Sequence, residues 1–101
     1  MSFSMPSVSF YIVWPDARVV DCYSPSTVIK EYFEVGKEYP LTEFMLLARE
    51  ALAAASERVR LKFGYACSAA MDTLEILERD AKVFRDTPNA KVKINGFSEG
   101  F

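Results

Sequence analysis

The chain has 101 residues, half of them apolar, which is enough for one domain with a single small core. A net charge of −2, with the basic residues interspersed among acids, argues against the clustered Lys/Arg footprint of a nucleic-acid binder. No apolar run reaches the length of a membrane span, and the absence of histidine removes the Ser-His and Cys-His dyads and the commonest metal ligand.

The opening, MSFSMPSVSF, lacks the basic-then-apolar layout of a signal peptide. Met5 is an alternative start, so residues 1–5 are read as a ragged end. Two cysteines 45 residues apart and no export signal lead to the expectation of a reducing, cytoplasmic setting with both thiols free.

Ser7 to Trp14 alternates, with Val8, Phe10, Ile12 and Trp14 on one side and Ser9, Tyr11 and Val13 on the other. Pro15-Asp16 is a turn signal, and Arg18 to Tyr23 is the return strand. A three-residue connection wants Gly at its left-handed position, where this chain has Ala17. With Trp14 opposite Arg18, Val20 and Cys22 share the inward face of Phe10 and Ile12. Ser24 as N-cap and Pro25 at the first helical position then predict a short helix, with Val28, Ile29, Tyr32 and Phe33 inward and Gly36 as its end. Glu34 to Pro40 reads as a loop.

From Pro40 to Phe84 the pattern is that of an αα-hairpin broken at Gly64. Thr42 is the expected N-cap, and Leu41 and Leu46 have the spacing of a hydrophobic staple. Phe44, Leu47, Ala48, Ala51, Ala55 and Val59 form one stripe at 100° per residue. Gly64 suits the left-handed residue after a helix. The second helix restarts near Ala66 to Ser68 with a stripe of Cys67, Ala70, Leu74, Leu77, Ala81 and Phe84. Glu75–Arg79 and Glu78–Lys82 are i,i+4 pairs. A weaker stripe of Ala69, Ile76 and Val83 is open to the sheet, to a second copy or to solvent. Thr87-Pro88-Asn89 breaks the helix. Ala90 to Phe97 alternates as a third strand, with Val92 and Ile94 inward and Lys91, Lys93 and Asn95 outward, and the lysines suit a sheet edge. Ser98 to Phe101 reads as a tail.

The expected fold is therefore a single α+β domain over residues 1–101, in the order β-β-α-α-α-β. A three-stranded antiparallel sheet, made of a β-hairpin and the C-terminal strand, packs on one short helix and a long αα-hairpin. Its outer face carries Tyr11, Val13, Val19 and Tyr23, an apolar patch of the kind that marks a contact site, and the expectation is a homodimer.

Little points to chemistry. The cysteine spacing is not that of a zinc site, and no Gly-rich loop follows a strand, so neither metal nor cofactor is expected. Cys67 sits at a helix start, where the dipole lowers a thiol pKa, but its place on the apolar stripe also suits a buried small hydrophobe. Cys22 has the same two readings, with strand alternation sending it to the core. Arg58, within the stripe of the first long helix, either snorkels to the surface as Lys62 does, or lines a cleft at the bend with Glu57, Tyr65, Cys67 and Ser68 that would take a small anion or a partner's carboxylate. Trp14 reads as a lid on the core. No catalytic residue is assigned.

The segments SVSFYIVWPDA, CYSPSTVIKEYFEVGKEYPLTEF and ALAAASERVRLKFGYACSAAM resemble a family of small bacterial nitrogen-starvation-response proteins. Its signature is a WPDG turn, a CYSPS segment and an ASERVR segment followed by YG[FY]ACS. These correspond to Trp14-Pro15-Asp16, Cys22 to Ser26, and Ala55 to Arg60 with Gly64 to Ser68. The resemblance covers about residues 5 to 84, with Ala17 standing where the family has Gly. It implies a cytoplasmic bacterial protein whose gene lies in a nitrilase-containing cluster, beside genes for a radical-SAM protein, an acetyltransferase and a flavoprotein. Such clusters are linked to nitrogen limitation and to nitrile or cyanide assimilation, and the family supplies no catalytic residues to carry over. Three functions follow as expectations. The first is a non-catalytic accessory protein that binds a partner from that cluster, without nucleic acid or membrane. The second is a small-ligand sensor or carrier using the bend. The third is a thiol-dependent small enzyme using Cys67.

Overall fold

A computed structural model describes residues 7–64 and 68–100, with Glu99 and Gly100 by their backbone alone. Strands β1 (Ser7–Val13) and β2 (Val19–Ser24) pair as the expected antiparallel hairpin, from Val8 opposite Ser24 to Val13 opposite Val19. The connection is Pro15-Asp16-Ala17. The Trp14 N–H donates to the Arg18 carbonyl (2.9 Å), the Ala17 N–H to the Trp14 carbonyl (2.8 Å), and the Arg18 N–H to Asp16 Oδ1 (3.1 Å). Ala17 takes the left-handed position at φ 71°, which costs a residue with a Cβ about 1–2 kcal/mol. Val8, Phe10, Ile12, Trp14 and Cys22 are buried, and Val20 packs half-buried beside them.

The short helix starts later than Ser24-Pro25. Its N-cap is Ser26, whose Oγ accepts from the Val28 N–H (3.3 Å), and it is a 3-10 helix over Thr27–Glu31. Ser24 Oγ instead donates to the Ser26 carbonyl (2.8 Å) and closes the turn ahead of the cap. Gly36 does not end this helix. It lies in the following turn at φ 85°, its N–H donating to the Ile94 carbonyl (2.7 Å).

The sheet has four strands, not three. Within the expected loop, β3 (Glu38–Pro40) pairs antiparallel with β4 (Lys91–Gly100). Three residues ending in proline are too few to show alternation. Tyr39 holds the strand: its ring is buried and its hydroxyl accepts from the Glu34 N–H (2.9 Å). The strand order is β2-β1-β4-β3, so β4 is interior rather than an edge, and it continues to Gly100 through the expected tail. Lys91 and Lys93 are exposed because they stand on the outer face, not because the strand lacks a neighbour; Val92 and Ile94 are buried beneath them. Between the pairs Tyr11–Gly96 and Ile12–Ile94 the register shifts by one residue, a β-bulge at Asn95. The extra residue resets the alternation, so Phe97 joins Ile94 against the core.

Helix α1 (Leu41–Phe63) has Pro40 as its N-cap, with no side-chain cap; Thr42 lies inside the first turn. Its first N–H, that of Leu41, donates to the Ala90 carbonyl (3.0 Å). Gly64 ends it as expected, at φ 84°, with its N–H on the Arg60 carbonyl (2.8 Å). Phe44, Ala48, Ala51, Ala55 and Val59 are buried, joined by Met45 and Leu52; Leu47 is half-buried. Helix α2 (Ser68–Ala81) continues as a 3-10 turn over Lys82–Phe84. Ala70, Leu77 and Phe84 are buried, and Leu74 and Ala81 half-buried. Cys67 lies outside the described residues. Glu78 pairs across the hairpin with Arg49 (3.4 Å) rather than with Lys82. Ile76 and Val83 are exposed. Both helices cover one face of the sheet, α2 over β2 and α1 over β3 and β4.

Aromatic rings tie these elements together. Trp14 stacks on Phe84 (centroids 5.6 Å apart) and meets Phe44 edge-on (6.0 Å). Phe44 stacks on Phe33 (5.3 Å), which also contacts Phe10 (6.3 Å) and Tyr39 (5.4 Å).

Two stability changes follow. Ala17→Gly removes the left-handed cost and is expected to raise unfolding free energy by about 1 kcal/mol, read from a urea midpoint at constant slope. Trp14→Ala is expected to lower it by about 3–5 kcal/mol in the same titration.

Candidate functional site

Of the bend residues singled out in the sequence, Glu57 and Arg58 turn to different neighbours. Glu57 accepts from Nε of Arg60 (2.9 Å) and pairs with its guanidinium one turn along α1. Those hydrogen bonds hold the Glu57 carboxyl below the usual carboxylate range. Arg58 turns the other way and reaches Glu31 on the 3-10 helix (3.5 Å). Ser68 is exposed at the start of α2, and Lys62 is exposed on the last turn of α1. Tyr65 and Cys67 lie outside the described residues.

The outer sheet face does bring its four candidates together. Val13 and Val19 are directly opposed across β1 and β2. Tyr11 faces Asp21 on β2, so Tyr23 and Val19 are its diagonal neighbours. Tyr11 and Val13 are half-covered, while Val19 is 56% and Tyr23 42% exposed. On its other side Tyr11 lies opposite Gly96, which presents no side chain. The face also carries charge, with Asp21 on β2 and, at its other side, Lys91 and Lys93 on β4 beside Glu38 on β3. β2 is also an edge. The Trp14–Arg18 hydrogen bond sets the phase of the ladder, so Val19, Asp21 and Tyr23 turn their backbone groups away from β1. One of these groups is covered: buried Thr73 on α2 donates its hydroxyl to the Tyr23 carbonyl (2.8 Å).

A second feature escaped the sequence reading. Between the first turns of α1 and the end of α2 runs an open groove of about 320 Å³. Leu41, Met45 and Leu46 give it an apolar lining, and Arg49, Lys82 and Arg85 supply positive charge. Arg49 is tied to Glu78. The i,i+4 spacing of residues 41, 45 and 49, and the i,i+4,i+7 spacing of 78, 82 and 85, was the available signal, but nothing in the sequence says that these two stripes face each other.

Among the described residues, no group of three His, Cys, Asp or Glu side chains is placed to hold a metal ion, and no helix is long and apolar enough to cross a membrane.

A family model described as nitrogen starvation-induced protein NitG matches residues 9–97, close to the whole chain. No curated protein and no solved structure matches it.

Cys22 lies within the matched span and is buried against the core. Burial, reinforced by the charges of Asp21 and Asp80, pushes its thiol up from the ordinary 9.0 to about 12. At neutral pH it is a protonated, covered side chain. The unfolded chain releases this proton near its ordinary pKa while the folded chain retains it. Stability from this group is therefore intact below about pH 9 and falls as the pH rises toward 12, by at most about 1.4 kcal/mol per pH unit. Comparing urea midpoints of the native chain and Cys22→Ala from pH 7 to pH 10.5 checks this. The gap between the two is expected to narrow above pH 9, and thiol alkylation at Cys22 is expected only at the rate of unfolding.

Proposed function

The chain belongs to the nitrogen starvation-induced NitG family, and we propose that it serves that response as a homodimeric accessory protein that binds a protein partner and performs no chemistry of its own. The observation that carries this reading is the outer sheet face, where Tyr11, Val13, Val19 and Tyr23 form one apolar patch that neither helix covers. Covering such a patch is favourable at roughly 25 cal/mol per Å² of apolar surface removed from water.

We take a second copy as the occupant of this face. A two-fold axis parallel to the strands, lying over β1, would set β2 of one copy above β4 of the other. The two patches of Tyr11, Val13, Val19 and Tyr23 then face each other across that axis. The heterologous partner is proposed to be a product of the nitrilase-containing gene cluster that the sequence resemblance implies.

Sedimentation at micromolar concentration is expected to give a dimeric mass. Val19→Lys with Tyr23→Lys is expected to give a monomer with nearly unchanged melting temperature, because both side chains are exposed; a monomeric native chain would remove the dimer. The tagged native chain, purified from nitrogen-limited cells, is expected to carry a stoichiometric partner. Recovery of the chain alone, together with a melting shift from a nitrogen metabolite, would replace the accessory role with that of a ligand sensor.

A further inference from the structure

We propose that the groove between the start of α1 and the end of α2 is the docking site for an acidic amphipathic helix of the partner protein. This inference rests on the accessory role proposed above and assigns the partner's contact to a surface separate from the sheet face.

Three observations converge on that occupant. The first is charge. The whole chain carries −2, yet this groove has three cations against the single acid Glu78, whose carboxylate is engaged by Arg49. Lys82 and Arg85, one at each end of the 3-10 turn that follows α2, have no ion pair among the described residues.

The second observation is the lining. Met45 is buried and Leu46 is 54% exposed, so the floor is apolar while one wall stands in solvent. A methionine floor adapts to the side chain laid on it. The third is shape. The lining on α1 runs from Leu41 to Arg49, two helical turns or about 12 Å at the rise of an α-helix. The groove is open along that length. A small molecule would leave much of its surface wet there, whereas bound small ligands are typically buried by 70% or more. A helix lying lengthwise would place apolar side chains at i and i+4 on Leu41 and Met45, with Leu46 as a wall. Its flanking carboxylates would reach Lys82 and Arg85, the latter able to take a carboxylate with two parallel hydrogen bonds.

The test uses the full chain in nitrogen-limited cells, with the photo-crosslinking residue p-benzoylphenylalanine in place of Leu46 and the crosslinked peptide identified by mass spectrometry. The expected product is one dominant segment of another protein, with apolar residues at helical spacing and several Asp or Glu. Its yield is expected to fall at least tenfold in Lys82→Glu/Arg85→Glu and to persist in Lys82→Arg/Arg85→Lys. Both positions are exposed, so these changes leave the fold in place. A crosslink to the chain itself, to a segment without that pattern, or one indifferent to charge reversal would overturn the inference. If the unmodified chain still carries a stoichiometric partner while Leu46 captures nothing, the groove assignment fails and the accessory role stands. If no partner is recovered by either route, both fail.

Discussion

The contact on which the rest of the molecule depends is the stack of Trp14 on Phe84, with Phe44 at the edge of the same indole. Trp14 directly follows β1, Phe84 follows α2, and Phe44 belongs to the first turns of α1. One side chain from the sheet thus holds the far ends of both long helices. The series continues from Phe44 to Phe33 and from there to Phe10 and Tyr39, reaching the segment after the 3-10 helix and the short strand β3. Aromatic pairs contribute about 0.5–1.5 kcal/mol each beyond the area they bury. The indole sits so deep that Nε1 has no hydrogen-bond partner among the described residues. A buried donor left unpaired costs about 1–3 kcal/mol, which ring packing offsets.

Both proposed contact surfaces follow from this arrangement. Because the large rings and both helices lie on one face, the other face of the sheet is left with Tyr11, Val13, Val19 and Tyr23 at its surface. Because Phe44 and Phe84 meet on Trp14, the first turns of α1 and the end of α2 are held at a fixed separation, and the groove opens between them. The surfaces lie on different sides of the protein, so a second copy on one does not compete with a partner on the other.

The legible parts of the fold are those governed by near neighbours. The hairpin turn with Ala17 in the left-handed position and the end of α1 at Gly64 arise from contacts within a few residues, and strand alternation alone puts Val8, Phe10, Ile12 and Trp14 on one side. The errors cluster where a distant segment decides. β3 is a strand because β4 lies beside it and Tyr39 enters the aromatic series, not because Glu38-Tyr39-Pro40 favours extension. β4 is interior because the hairpin pairs with one side of it and β3 with the other. The bulge at Asn95 is invisible to alternation and reverses which residues beyond it face the core. α1 needs no cap from Thr42, since its first amide is satisfied by Ala90, almost fifty residues away in the chain.

The same division holds for function. By itself the sequence determined the outer-face quartet, because period-two alternation assigns each strand residue to a side. It also determined the family, through short segments that are specific in combination. Only the tertiary structure decided that Glu57 and Arg58 turn to different neighbours, and that Arg49, Lys82 and Arg85 surround one groove. The reason is physical: helical periodicity tells which residues share a stripe, whereas which stripes face each other is set by the rings that pack between the elements.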